Sequence, residues 1–313
     1  MLTFAARRLG QAVIVLVLVS IVVFGLLHAL PGGLVRAQLG AKATHTSIRE
    51  LTVQENLTKP IIVQYALWFG NLLHGNLGFS YKLDTPVSTL IGEYFPRDLL
   101  LAGLSLLLTI VLSIPLGVVQ GARRNNALDY SVSGGLLTVY SMPTFLLGVI
   151  LIIIFNIEFH VFPATAQDFG QSFSTDVRVL VLPVLTLTIG NIAFFSRYVR
   201  TAVIENLLED YVRTAKAKGA DARRILVRHV LRNSLLPFVS IVGISLPTVV
   251  SGALIVEVLF GYPGMGLLFW DAEQTRTYPV LLGIVLLLSA AVVICNLLAD
   301  VTYGVLDPRI RYD

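Results

Sequence analysis

The sequence predicts an all-α integral membrane protein, and three observations predict it. The 313 residues are 55% hydrophobic and 13% charged, with mean hydropathy +0.79, far from soluble globular usage. Six runs reach or approach the ~20 apolar residues that cross a ~30 Å hydrocarbon core, near 9–30, 99–122, 130–157, 179–199, 233–256 and 279–302. The charges lie almost entirely between those runs. Net charge +4 and pI ≈ 9.2 therefore reflect membrane topology and not nucleic-acid binding. Residues 1–313 read as a single transmembrane domain, and the one cysteine, Cys295, lies inside an apolar run, which removes intrachain disulfides.

The first run follows Arg7 and Arg8. At about 20 residues it exceeds the ~7–15 of a signal-peptide core, so it reads as a retained first span. The insertion 31–97 after it is long enough to fold. Within it Thr58-Lys59-Pro60 reads as a helix start, and Ile61, Ile62, Tyr65, Trp68, Phe69, Leu72 and Leu73 keep helical spacing up to Gly75. This helix either caps the bundle at the outer interface or contacts an extracytoplasmic partner.

The middle spans carry Pro115, Pro143, Pro183 and Pro247, which kink helices in lipid and release carbonyls. Gly117 and Gly121 form a small-x3-small pair that permits close helix approach. Uncharged polarity comes from Ser141, Thr144, Thr186, Thr188, Asn191, Ser245, Thr248 and Ser251. With Pro143, the residues Ser141, Thr144, Ser245, Thr248 and Ser251 are the candidates for lining a pathway; routine interhelical hydrogen bonding is the simpler role for any one of them.

The segment 200–232 between the fourth and fifth spans is strongly basic: residues 197–232 hold nine of the chain's 23 Lys and Arg. Its punctuation reads helix–Gly–helix. Asp210 caps a short helix Tyr211 to Lys218, Gly219 supplies a left-handed C-cap, and Asp221 caps a second helix with Arg224, Arg228 and Arg232 along one face. The segment reads as a docking element for another protein or as an ordinary positive-inside loop. With the N-terminus inside, fifteen Lys and Arg fall on the cytosolic side against eight outside, six of those eight in the long insertion. Both termini are expected in the cytosol.

Several functions are disfavoured. No Asp, Glu, Lys, Arg or His occurs in 99–122, 130–157, 179–196, 233–256 or 277–299, whereas an ion-coupled carrier usually needs a mid-membrane ionisable group. No Gly-x4-Gly-Lys-Ser/Thr occurs, and Gly261-Tyr262-Pro263-Gly264-Met265-Gly266 follows no strand, so it reads as a rigid turn after the fifth span. His28, His45, His74, His160 and His229 lack metal-ligand spacing, and no catalytic or metal site is assigned.

The run Arg213-Thr214-Ala215-Lys216-Ala217-Lys218-Gly219, followed by Arg223-Arg224-Ile225 and Leu235-Leu236-Pro237, resembles the EAA loop of bacterial ABC importer permeases. More narrowly, the chain is similar to the first permease of the dipeptide/oligopeptide/nickel importer family. Arg7-Arg8-Leu9, Pro31-Gly32, Pro60-Ile61 with Gln64-Tyr65, and Gly75-Asn76-Leu77-Gly78 match in order. Phe95-Pro96, Asp129-Tyr130, Pro143-Thr144-Phe145, Glu257 with Phe260-Gly261, and Asp307-Pro308-Arg309-Ile310-Arg311-Tyr312 continue the match. Arg213 stands where the general EAA pattern has Glu, and Arg232 where it has a distal Pro, as in the peptide branch.

The resemblance implies the type I ABC importer permease fold in a bacterial inner membrane, with a second permease as heterodimer partner. It also implies two ATPase subunits that bind ATP and Mg, and an extracytoplasmic binding protein that delivers peptide; this chain itself binds no cofactor. Residues Arg213, Thr214, Ala215, Lys216, Ala217, Lys218, Gly219, Arg223, Arg224 and Arg228 would dock the ATPases. Thr214, Ala215 and Ala217 would seat the helix closely, with Lys216 and Lys218 at the rim. Nickel chelates, glutathione, oligosaccharides or another small solute fit the same neutral pathway, and a self-sufficient ion-coupled peptide carrier is the reading from another class.

Overall fold

The computed structural model describes residues 2–29, 34–39, 43–54, 56–251 and 253–306. The motifs Pro31-Gly32 and Asp307–Tyr312 lie outside the described residues, as do the side chains of Thr248 and Ser251. Among the described residues, five helices are long and apolar enough to cross a membrane, and two bent helix pairs raise the number to seven if each pair is one span. The chain divides into two compact units, Met1–Asp98 with Pro263–Leu298, and Leu99–Tyr262 with Ala299–Arg311.

In the first unit, α1 (Leu2–His28) covers the first apolar run, and short helices α2 (Leu34–Leu39) and α3 (His45–Gln54) follow, packed through Val35, Leu39 and Leu51. Helix α4 (Ile61–Leu73) starts after Pro60, which occupies the N-cap. It is held to α1 by a Ser20–Tyr65 hydroxyl pair at 2.8 Å, a His28 Nε2–Gln64 Oε1 contact at 2.9 Å, and Phe24 rings against Tyr65 and Trp68. Its outward side leaves Ile61, Ile62, Leu67 and Leu73 exposed, which gives it an apolar stripe of interfacial character. A two-residue hairpin, β1 (Phe79–Ser80) with β2 (Thr85–Pro86), pairs Phe79 with Pro86 and Ser80 with Thr85.

Helix α5 (Val87–Ala122) is 36 residues long, against the 24-residue run at 99–122. The apolar count stops at Leu99 because Glu93, Arg97 and Asp98 interrupt it, yet the helix runs through Gly92 and Pro96 without a break, and Val87 and Ile91 pack with Met265, Leu268, Val280 and Ile284 in the first unit's core.

In the second unit, the expected single span at 130–157 is two helices, α6 (Ala127–Tyr140) and α7 (Thr144–Ile152), the latter prolonged by a π-helical stretch, Ile153–Glu158. The pair bends by 102°. Pro143 has no N–H to continue α6 and serves as the N-cap of α7, so a kink becomes a break. Helix α8 (Phe173–Leu208) starts at a Ser172 cap, whose hydroxyl accepts from Thr175 N–H, and extends past the run 179–199 at both ends. It is the centre of this unit: 67% of its apolar window is buried, against 17–28% in the other long helices. Gly117 and Gly121 on α5 lie against Ser196, Val199, Arg200 and Val203 on α8, so the small-x3-small pair is a close helix crossing.

Helix α9 (Asp210–Ala217) follows α8 with Glu209 between them, and α10 (Ala222–Arg224) leads through a π-helical turn, Ile225–Val230, into α11 (Leu231–Ser251). Helices α12 (Leu254–Phe260), α13 (Met265–Gln274) and α14 (Tyr278–Leu306) complete the chain. The run 233–256 thus falls on α11 and the start of α12. The glycine-rich stretch is the break between α12 and α13, with Gly261 left-handed at φ 61°.

Candidate functional site

The basic segment is a structured helical element with an inner and an outer face. Val212 of α9 is fully buried in a cluster with Phe195, Val199 and Val203 of α8, Ile225 and Val230 of the π turn, and Phe238 of α11. Ala215 and Ala220 pack partly buried against the same cluster, and Tyr211 donates to Asn206 Oδ1 at 2.7 Å. Arg213, Thr214, Lys216, Ala217 and Lys218 are exposed on the other side. Ala215 therefore packs against its own chain and does not join Thr214 and Ala217 on the outer face. A helix seated by valine and alanine needs that inward alanine to approach α8 closely.

The turn after α9 has the geometry of a Schellman motif. Gly219 N–H bonds the Lys216 carbonyl at 3.0 Å and Ala220 N–H bonds the Ala215 carbonyl at 3.1 Å, with Gly219 at φ 78°. The N-terminal boundary is one residue earlier than the sequence indicates: Glu209 is the N-cap and Asp210 the first helical residue, where its charge favours the helix dipole. Arg213 pairs with Asp210 at 3.2 Å, and both are well exposed, so the pair holds little stability.

Asp221 stands at the N-cap of the second helix, although its side chain makes no capping bond. That helix runs without interruption into α11, since residues 222–236 contain neither Gly nor Pro. The π turn has a packing reason. Ile225 and Val230 are five apart, diverge on an α-helix, and reach the same cluster only when the turn widens. Arg223, Arg224, Arg228 and Arg232 remain exposed.

A cavity of about 360 Å³ opens among α5, the α6–α7 break and α8. Its polar wall is Ser105, Thr109, Thr144 and Asn191, with Tyr140 and Met142 beside them. Ser105 donates to the Leu101 carbonyl and Thr109 to that of Ser105, both at 2.7 Å, and Asn191 Nδ2 donates to Leu187 at 2.8 Å. Such back-bonding satisfies the donors within each helix and leaves oxygen acceptors without net charge. Of the candidate pathway residues, Thr144 lines this cavity. Ser141 bonds the Leu137 carbonyl and, like Pro143, is exposed elsewhere, because the chain turns at the break and carries both residues off the cavity wall. Ser245 bonds the Ile241 carbonyl and does not line the cavity either.

Ser105, Thr109 and Asn191 join Thr144 on the wall without having been candidates for it. The signal for the first two is in the sequence: Ser105, Thr109, Ser113, Gly117 and Gly121 recur every fourth residue, the ridge that packs on a neighbouring helix. Thr188 of α8 donates to the Ser105 carbonyl at 3.3 Å across that contact.

Residues 1–102 match the N-terminal region, and residues 113–312 the main region, of binding-protein-dependent transport system inner membrane components. The chain belongs to this family of transport permeases. A protein of Brucella suis biovar 1 (strain 1330) named as a peptide permease is 38% identical over 319 residues, 99% of each chain. The oligopeptide transport system permease protein AppB of Bacillus subtilis (strain 168) is 34% identical over the whole of both chains. The dipeptide transport system permease protein DppB of Escherichia coli (strain K12) is 32% identical over 100% of this chain and 99% of that one. Among solved structures, a chain of the inward-facing MetNI methionine ABC transporter superposes with a TM-score of 0.56 at 21% identity. It covers 70% of this permease and 96% of that chain, so the permease has the type I ABC importer fold. It is a multi-pass membrane protein.

Proposed function

We propose that this permease forms half of the membrane pathway of an ATP-driven importer of dipeptides or oligopeptides. The observation that carries the reading is α9: a short basic helix seated by Val212, with a clean outer face and a Schellman stop, joined to cavity-lining α8 by the single residue Glu209. Two cytosolic ATPase subunits, which bind ATP and Mg, dock on this helix and its counterpart in a second permease. An extracytoplasmic binding protein delivers substrate, and both termini of this chain are cytosolic. Full-length relatives named for peptide transport support the substrate class, and the wall of Ser105, Thr109, Thr144 and Asn191 carries no fixed charge that would select among peptide side chains.

The chain acts without catalytic residues, by switching between inward- and outward-facing arrangements as the ATPases close. Reconstitution tests this. The complete importer in proteoliposomes is expected to accumulate a tripeptide only with ATP and binding protein, and the permease alone is expected to be inert. Peptide accumulation by the permease alone under a proton gradient would overturn the reading.

A further inference from the structure

Between the cavity wall and the docking helix, α8 is tied to α6 by one buried ion pair. Arg200 Nε donates to Asp129 Oδ1 at 2.8 Å and Arg200 Nη2 to Oδ2 at 2.7 Å, a bidentate fork. The Asp129 side chain is 2% exposed and that of Arg200 28%. The carboxylate also accepts from Asn125 N–H at 3.1 Å and from Ser133 Oγ at 3.4 Å. Ser133 Oγ in turn accepts from Gln120 Nε2 of α5 at 3.0 Å. Helices α6 and α8 therefore meet on one carboxylate and α5 joins them through Ser133, directly beside the Gly121 crossing, where a Cβ would stand 3.0 Å from the Arg200 carbonyl.

A buried pair of this kind adds little net stability, because desolvation offsets the attraction, yet breaking it is costly. What it does is fix geometry. From Asp129, α6 runs to Val139 and Tyr140 in the cavity wall and then breaks at Pro143. From Arg200, α8 runs on to Glu209 and α9.

We propose that Asp129 and Arg200 are positioning residues that carry a displacement of α9 to the cavity wall. Docked ATPases move α9; α8 follows because Val212 and Glu209 join the two; the Arg200 fork drags the start of α6; Tyr140 and the α6–α7 break shift at the cavity. Without the fork, α8 moves alone with its own side of the wall, and Tyr140 and the α6–α7 break stay where they were. The proposal rests on the docking reading of α9.

The test is the complete importer in proteoliposomes with its ATPase and binding-protein partners, read as ATP hydrolysed per peptide accumulated. The same preparations give the amount of importer in the membrane and the ATPase subunits retained. Asp129→Asn keeps the shape and removes the charge; Arg200→Lys keeps the charge and removes the fork. Each is expected to retain the ATPases and to raise ATP consumed per peptide about fivefold or more. The exchange Asp129→Arg with Arg200→Asp is expected to recover part of that loss. A brace without a transmitting role lowers importer amount and transport together and leaves the ratio unchanged, and that result overturns the proposal. Should Asp129→Asn fail to accumulate, an unchanged ratio in Arg200→Lys overturns it equally. Retention of ATPases by Ala217→Trp speaks instead against docking on α9, so the two failures are distinct.

Discussion

Gly117 of α5 lies directly against the backbone of Ser196 on α8: a Cβ added to it would stand 2.6 Å from the Ser196 carbonyl oxygen. Gly121 repeats the contact one turn on, 2.7 Å from Val203 Cγ1. Backbone does not yield as a flexible side chain does, so a larger residue forces the two helices apart. Gly117→Val or Gly121→Val is expected to cost about 1–3 kcal/mol each by overpacking. Gly134 and Gly135 on α6 have open space around them, and alanine there is expected to be neutral or slightly stabilising. Thermal unfolding of the purified importer distinguishes the two pairs.

That crossing was legible in the sequence because small residues at a four-residue period are a local signal. So was the left-handed Gly219, since a glycine closing a short basic helix leaves few alternatives. The Asp129–Arg200 fork was not legible: the partners are 71 residues apart, and nothing local distinguishes Arg200 from its exposed neighbour Arg197. Pro143 announces a kink, but its size depends on α7 packing against α12, where Gly148 admits Leu259 and Phe260. For that reason the sequence pattern alone does not place Ser141 and Pro143 outside this cavity. The early start of α5 is hidden by its charges, which an apolar-run count treats as loop.

Gly219 has open space where a Cβ would stand, with no atom within 4 Å, so a substitution there is limited by backbone conformation alone. Asparagine tolerates the left-handed region and β-branched residues do not. Gly219→Val is expected to cost ~1 kcal/mol or more, to misaim α9, and to lower peptide uptake sharply while the permease still accumulates. Gly219→Asn is expected to retain most uptake. Normal uptake by the valine variant, with ATPases attached, would reduce the segment to a topology signal.

The two faces of α9 separate stability from docking. Val212→Ala removes two buried methyl groups' worth of packing, about 1–2 kcal/mol, and is expected to loosen α9 from α8. Ala217→Trp, on the exposed face, is expected to leave unfolding unchanged and to displace the ATPase subunits on co-purification. An Ala217→Trp permease that keeps its ATPases would mean that they bind elsewhere.

The cavity makes a prediction about transport without docking. Asn191→Leu and Thr109→Val replace polar groups on its wall with apolar ones of similar size. Together they are expected to slow peptide uptake by about tenfold, the effect of ~1.4 kcal/mol on a barrier, with the ATPases still bound. Ser141→Val, off the wall, is expected to transport normally. Equal uptake by all three variants would move the pathway to another face of α8.

Orientation is open to direct labelling. Cys295 is the only cysteine, so Cys295→Ala gives a silent background. New cysteines belong at exposed positions whose backbone any residue adopts. Gln171 and Arg124 qualify, whereas their neighbours Gly170 at φ 95° and Asn125 at φ 62° do not. Cysteines at His45 and Gln171 are expected to react with an impermeant maleimide in intact cells, and those at Arg124 and Lys216 only after lysis. The expectation follows from charge: fifteen Lys and Arg lie on the side that holds Arg124 and Lys216, and a membrane resists moving short basic loops outward. Labelling of Lys216→Cys from outside would invert the chain, set α9 on the side away from ATP, and end the importer reading with it.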